Sequence, residues 1–164
     1  MKKLIFVIAI ALFGASTFAQ SAATRIKEFN LENKVAIQGY DPVAYFKQNK
    51  AVKGKKEITA TYEGVTYYFA MQVDKDFFLK SPTSYEPQYG GWCSYAMGAK
   101  GEKVEVDPEN YKIVNGSLNL FYKNFFSNTL DDWNKDETKL KKQADINWVK
   151  NFKWFSKPLI INQL

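Results

Sequence analysis

The sequence predicts an α+β fold: a small antiparallel sheet built from hairpins, short helices packed around it, and a helical C-terminal region. Three observations carry this. Two runs rich in Ile, Thr, Val, Tyr and Phe each break at a turn signal, Glu63-Gly64 in the first and Asn115-Gly116 in the second. Short apolar runs elsewhere end at proline, as in "VDKDFFLKSPTSYEP", residues 73–87. Late in the chain Leu140, Ala144 and Trp148 recur every four residues, which is one face of a helix.

The elements follow in order. "VAIQGYDPVAYF" (35–46) starts extended, turns at Gly39 and Asp41-Pro42, and supplies a short helix from Val43 to Phe46, capped by Asp41. In "EITATYEGVTYYFA" (57–70) Ile58, Ala60 and Tyr62 alternate with Thr59 and Thr61, so one face of the hairpin is buried. Residues 73–81 make a helix stopped by Pro82, with Phe77 and Phe78 as core anchors. "YKIVNGSLNLFY" (111–122) is the second hairpin. Thr129 to Asp132 reads as a capping box with an acid in its last position, ahead of the anchors Leu130 and Trp133.

The N-terminus has the three-part order of a secretory signal peptide. Lys2 and Lys3 precede the apolar run Leu4 to Phe13, and small residues stand at Thr17 and Ala19. That run is shorter than the roughly 20 residues a bilayer requires, so no transmembrane segment is expected. The expected organisation is a signal peptide over 1–19, a flexible leader over 20–28, one domain over 29–150 and a C-terminal tail over 151–164. No internal repeat is visible. Localisation is expected to be periplasmic or extracellular.

Composition excludes several chemistries. There is no histidine among the 164 residues, which removes Ser-His-Asp and Cys-His catalysis and histidine-rich metal sites. The single cysteine, Cys93, allows no internal disulfide. The formal charge is +6, but the lysines are interspersed with acids, so no nucleic-acid partner is expected.

Three groups are candidates for a site. Cys93, beside Trp92 and Tyr95, is either a small core residue or a thiol facing a pocket, with Met97 as a second soft metal ligand. Tyr40 and Asp41 form either a capped turn or the mouth of a pocket near Gly90-Gly91, where Asp41 could ligate a hard ion. The tyrosines Tyr45, Tyr67, Tyr85, Tyr89 and Tyr95 either pack in the core or line a groove for a small organic ligand.

Taken together, "GYDPVAYF", "TYEGVTYYFA", "SPTSYEPQYGGWCSYAMG", "VDPE" and "ADINW" resemble the exported YHS-domain family over roughly residues 33–148. The resemblance implies a fold and a loose association with metal handling, because related short YHS domains accompany heavy-metal transporters. Those domains carry cysteines where this chain has Ala44 and Ala70-Met71. The resulting expectation is a non-enzymatic binding module for a small molecule or metal ion. Its ligand-binding residues are Tyr40, Asp41, Tyr45, Gly91 and Tyr95, and Cys93, Met97 and Asp41 are its metal ligands. The alternatives are a thiol-dependent enzyme or redox protein using Cys93, and an accessory protein docking on an envelope protein through its tail, where Trp154, Phe155, Leu159 and Ile160 lie.

Overall fold

The computed structural model describes residues 22–152. The expected signal peptide, and Trp154, Phe155, Leu159 and Ile160 of the expected tail, lie outside them. Among the described residues no helix is long and apolar enough to cross a membrane. The fold is α+β, with sheets of four and two strands. Where one domain was expected, the chain divides into two compact units, the first ending at Glu86 and the second starting at Pro87.

The first unit opens with helix α1 (22–28), where a flexible leader was expected. Arg25 explains the difference. It is buried, pairs with Glu86 and with Glu63 (3.6 Å), and lies over the rings of Phe29 (4.5 Å) and Tyr62 (5.3 Å). A segment polar in composition is therefore pinned by its one arginine. Strands β1 (Leu31–Glu32) and β2 (Val35–Ala36) follow, then helix α2 (Ala44–Lys47), strands β3 (Lys55–Tyr62) and β4 (Val65–Phe69), and helix α3 (Gln72–Lys80). The sheet order is β1-β2-β4-β3, antiparallel except for the β2–β4 pair. β4 alternates cleanly, burying Val65, Tyr67 and Phe69, and Phe69 packs on Phe78 of α3 at 5.3 Å. The expected second anchor, Phe77, is instead 37% exposed, with the Lys47 amine 4.7 Å over its ring.

The second unit contains helix α4 (Ser94–Lys100), strands β5 (Asp107–Val114) and β6 (Ser117–Phe121), and helices α5 (Thr129–Lys135) and α6 (Glu137–Phe152). Phe121 packs on the fully buried Trp133 of α5 at 5.4 Å. The cap of α5 is Asn128, whose side chain accepts from Leu130 N, one residue ahead of the expected Thr129. Thr129 is occupied elsewhere, its hydroxyl donating to Tyr122 O. Ala144 of α6 is buried with Tyr89 and Met97, and Trp148 packs beside them, as the four-residue spacing predicts.

The two units share one backbone plan, offset by 52 residues (Asp41 to Cys93). The pairs Lys55↔Phe69, Thr59↔Tyr68 and Tyr62↔Val65 recur as Asp107↔Phe121, Tyr111↔Leu120 and Val114↔Ser117, with the same register shift. The parallel pair Val35↔Thr66 recurs as Pro87↔Leu118. Asp41 N bonds Val52 O, and Cys93 N bonds Val104 O. Positive φ recurs too: Ile37, Gln38, Gly39, Asn49, Glu63 and Gly64 answer to Tyr89, Gly90, Gly91, Gly101, Asn115 and Gly116. Only six of the 36 aligned positions (35–70 on 87–122) carry the same residue. A duplicated architecture is thus present where the sequence shows no repeat, because hydrogen-bond register depends on backbone geometry and turn chemistry more than on side-chain identity.

Candidate functional site

Each half-plan turns on three consecutive left-handed residues that lead into one extended residue, Tyr40 in the first unit and Trp92 in the second. Left-handed backbone costs little at glycine but is strained at a β-branched residue such as Ile37 (φ 53°), and such strain concentrates where structure serves function. The side chain of the next residue then ties the turn to the end of the hairpin.

In the first unit that residue is Asp41. It has no exposed surface, and three backbone amides donate to it: Val43 (2.8 Å) and Ala44 (3.3 Å) to Oδ1, and Ala70 (2.7 Å) to Oδ2. Burial raises its pKa to about 6; the amides of Ala70 and Val43 oppose the shift, and the buried carboxyl of Asp74 adds to it. Asp74 also accepts from Gln48 Nε2 at 3.4 Å. Asp41 acts as a cap and a pin, and its oxygens are turned to the backbone.

In the second unit Cys93 holds the matching position. Its sulfur accepts from Tyr122 N at 3.4 Å, the counterpart of the Ala70 amide, and lies 3.4 Å from Thr129 Oγ1. It has no exposed surface. Met97 is equally buried, in the Tyr89–Ala144 cluster. Among the described residues no group of three or more cysteine or acidic side chains converges that could hold a metal ion. Of the expected soft-metal pair, Met97 lies in that apolar cluster and the Cys93 sulfur receives a backbone amide.

The remaining expected residues divide in the same way. Tyr45 (1% exposed) and Tyr67 are core rings; Tyr67 donates to Glu86, and burial together with that carboxylate pushes its pKa well up. Tyr85 packs edge-on against Phe46 at 5.4 Å. Tyr89 donates to Asp145 Oδ1 at 2.9 Å, and burial with that carboxylate raises its pKa. Gly91 is buried at φ 88°, and Tyr95 is half-buried on α4.

Tyr40 does not line the groove of the first unit but touches Lys53, which does. Lys53 Nζ sits 4.3 Å over its ring and donates to Gln38 O at 2.7 Å. The groove, about 240 Å³, lies within the first unit and is lined by Gln38, Gly39, Lys53, Gly54, Lys56 and Tyr68, with Glu32, Asn33 and Val35 at its end. Gly54 N bonds Gly39 O at 2.9 Å, and a Cβ at Gly54 would meet the Tyr68 carbonyl carbon at 2.6 Å, so only glycine fits there. The groove's lining holds two lysines and one glutamate, a balance that favours an anion. Sequence reasoning missed Gln38, Lys53, Lys56 and Tyr68. The available signal was Gly54 between two lysines at the start of a strand, which reads equally well as a solvated sheet edge.

No protein-family model, curated protein or solved structure matches the chain.

Proposed function

We propose that this chain is an exported, YHS-like protein that binds a small molecule without transforming it, and that the ligand is a small organic anion held in the groove of the first unit. The observation that carries the reading is the groove's construction. Gly39 and Gly54 let the turn pack tightly on Tyr68, and the groove beside them sets the Tyr68 side chain next to Lys53 and Lys56, which outnumber Glu32. The enzymatic alternative has less support, because Cys93 is fully buried and the chain holds no histidine to activate it.

Native mass spectrometry of protein purified from its own host tests this. A co-purifying small anion is expected, with elemental analysis showing no stoichiometric metal. Lys56→Glu, at an exposed strand position, should lower occupancy at least about tenfold by placing a second carboxylate against the ligand. A bare wild-type mass, or occupancy unchanged in Lys56→Glu, would falsify the assignment.

A further inference from the structure

Phe125 and Phe126 are 94% and 90% exposed, whereas no other large apolar side chain among the described residues exceeds 53%. They stand edge-to-face, with centroids 5.1 Å apart, at the apex of a small turn. The turn is built firmly. Lys123 and Asn128 close it as an antiparallel bridge, and Asn124 N donates to Ser127 O at 2.9 Å. The Asn124 side chain accepts from Phe126 N (2.9 Å) and Ser127 N (2.8 Å). Two rings are therefore held outward by a loop whose own polar groups are satisfied.

The repeated plan serves as an internal control on whether the fold requires this loop. In the first unit α3 starts three residues after Phe69; in the second, α5 starts eight residues after the equivalent Phe121. The aromatic pair thus sits in a five-residue extension that the first unit lacks while making the same packing of strand phenylalanine on helix aromatic. From Tyr122 to Leu130 Lys123 is the one charged residue, and Asp131 and Asp132 come next; the chain's formal charge of +6 includes Lys2 and Lys3.

We propose that this loop is a membrane-contact site: Phe125 and Phe126 insert at the interface of a lipid surface bearing anionic headgroups, and Lys123 lies at headgroup level. A convex apolar tip needs no complementary groove in its partner, and a bilayer interface accepts such rings and attracts the adjacent cation. No acid lies within the tip itself; Asp131 and Asp132 follow at the start of α5, where Asp132 is paired with Lys135 at 2.6 Å.

The test is sedimentation of the full chain with phosphatidylcholine vesicles containing about one-third phosphatidylglycerol. Wild type is expected to bind, and Phe125→Ser with Phe126→Ser to lose at least about tenfold in partitioning, its circular dichroism unchanged. Both proteins share the same termini, so any membrane affinity of residues 1–21 or 153–164 is common to the two. A second variant, Phe126→Trp, should show quenching by brominated lipid. Equal binding of wild type and double variant, or no quenching at position 126, overturns the proposal. Cross-linking from position 126 to a protein in envelope extracts, without quenching, replaces the lipid with a protein partner.

Discussion

The two units close the same turn onto the same hairpin with different atoms. Asp41 receives the Ala70 amide on a carboxylate oxygen; Cys93 receives the Tyr122 amide on sulfur, fifty-two residues further on. Backbone plan and pin position are common to both, while the chemistry at the pin is free to vary. The difference has consequences. The carboxylate binds three amides strongly but must be buried beside Asp74, whereas the thiol is cheap to bury and binds its amide weakly.

The largest expected effect distinguishes the units by what covers them. Arg25→Ala removes the buried cation of α1 and leaves Glu86, whose side chain is 11% exposed, without its ion pair. A loss of about 3–5 kcal/mol is expected from urea unfolding. A loss under about 1 kcal/mol would show that α1 is not part of the first unit's core.

Next come the paired turns. Gly64 (φ 83°) and Gly116 (φ 73°) occupy the same position in their hairpins. Valine at either is strained by roughly 1–3 kcal/mol. Gly64→Val should cost more, because a Cβ there already meets Ile26 Cδ1 at 3.0 Å, while nothing lies within 4 Å at Gly116. Equal urea midpoints for the two variants would remove the distinction.

The pins themselves separate by pH. With its folded pKa raised from 3.8 to about 6, Asp41 keeps a proton in the folded state that the unfolded chain has released between those values. Its contribution to stability therefore falls as pH rises from about 4 to 6, then levels off. Asp74→Asn removes the smaller, like-charge cause and should make this part of the stability profile shallower while burial keeps the rest; a profile identical to wild type would detach Asp74 from the pin. The smallest effect is expected at Cys93→Ser, about 1 kcal/mol, since the hydroxyl can still take the Tyr122 amide but fills less of an apolar space. Native alkylation of wild-type Cys93 should be slow and become fast in urea; fast native labelling would place the thiol at the surface.

What was legible in the sequence was whatever a turn residue announces. Glu63-Gly64 and Asn115-Gly116 mark both hairpins because positive φ at two successive positions is a narrow chemical requirement. Pro82 marks the stop after α3, and the Leu140–Ala144–Trp148 spacing marks the buried face of α6. The duplication was hidden because its most distinctive feature, the left-handed triplets, uses Ile37 and Tyr89, residue types that local rules assign elsewhere. The candidate site was not legible: Asp41 was read both as a cap and as a ligand, and Gln38, Lys53 and Tyr68 meet through tertiary pairing that no spacing along the chain records. α1 was missed because a single buried arginine leaves no apolar periodicity to detect.

Two tandem copies of one strand register invite exchange: the β4 strand could settle into the slot meant for β6, and the reverse. The divergence of the copies closes that route at one residue pair. Tyr67 and Asn119 are equivalent in register, and neither has exposed surface. Tyr67 lies against Phe78 (4.7 Å) with its hydroxyl on Glu86, whereas the Asn119 amide donates to Ser117 O and its oxygen accepts from Ser94 Oγ. A swapped strand would strand an amide among rings and press a phenol into a space shaped for an amide. Each strand thus carries an address, and a nascent chain whose first hairpin emerges before the second is kept from trading partners with its own duplicate.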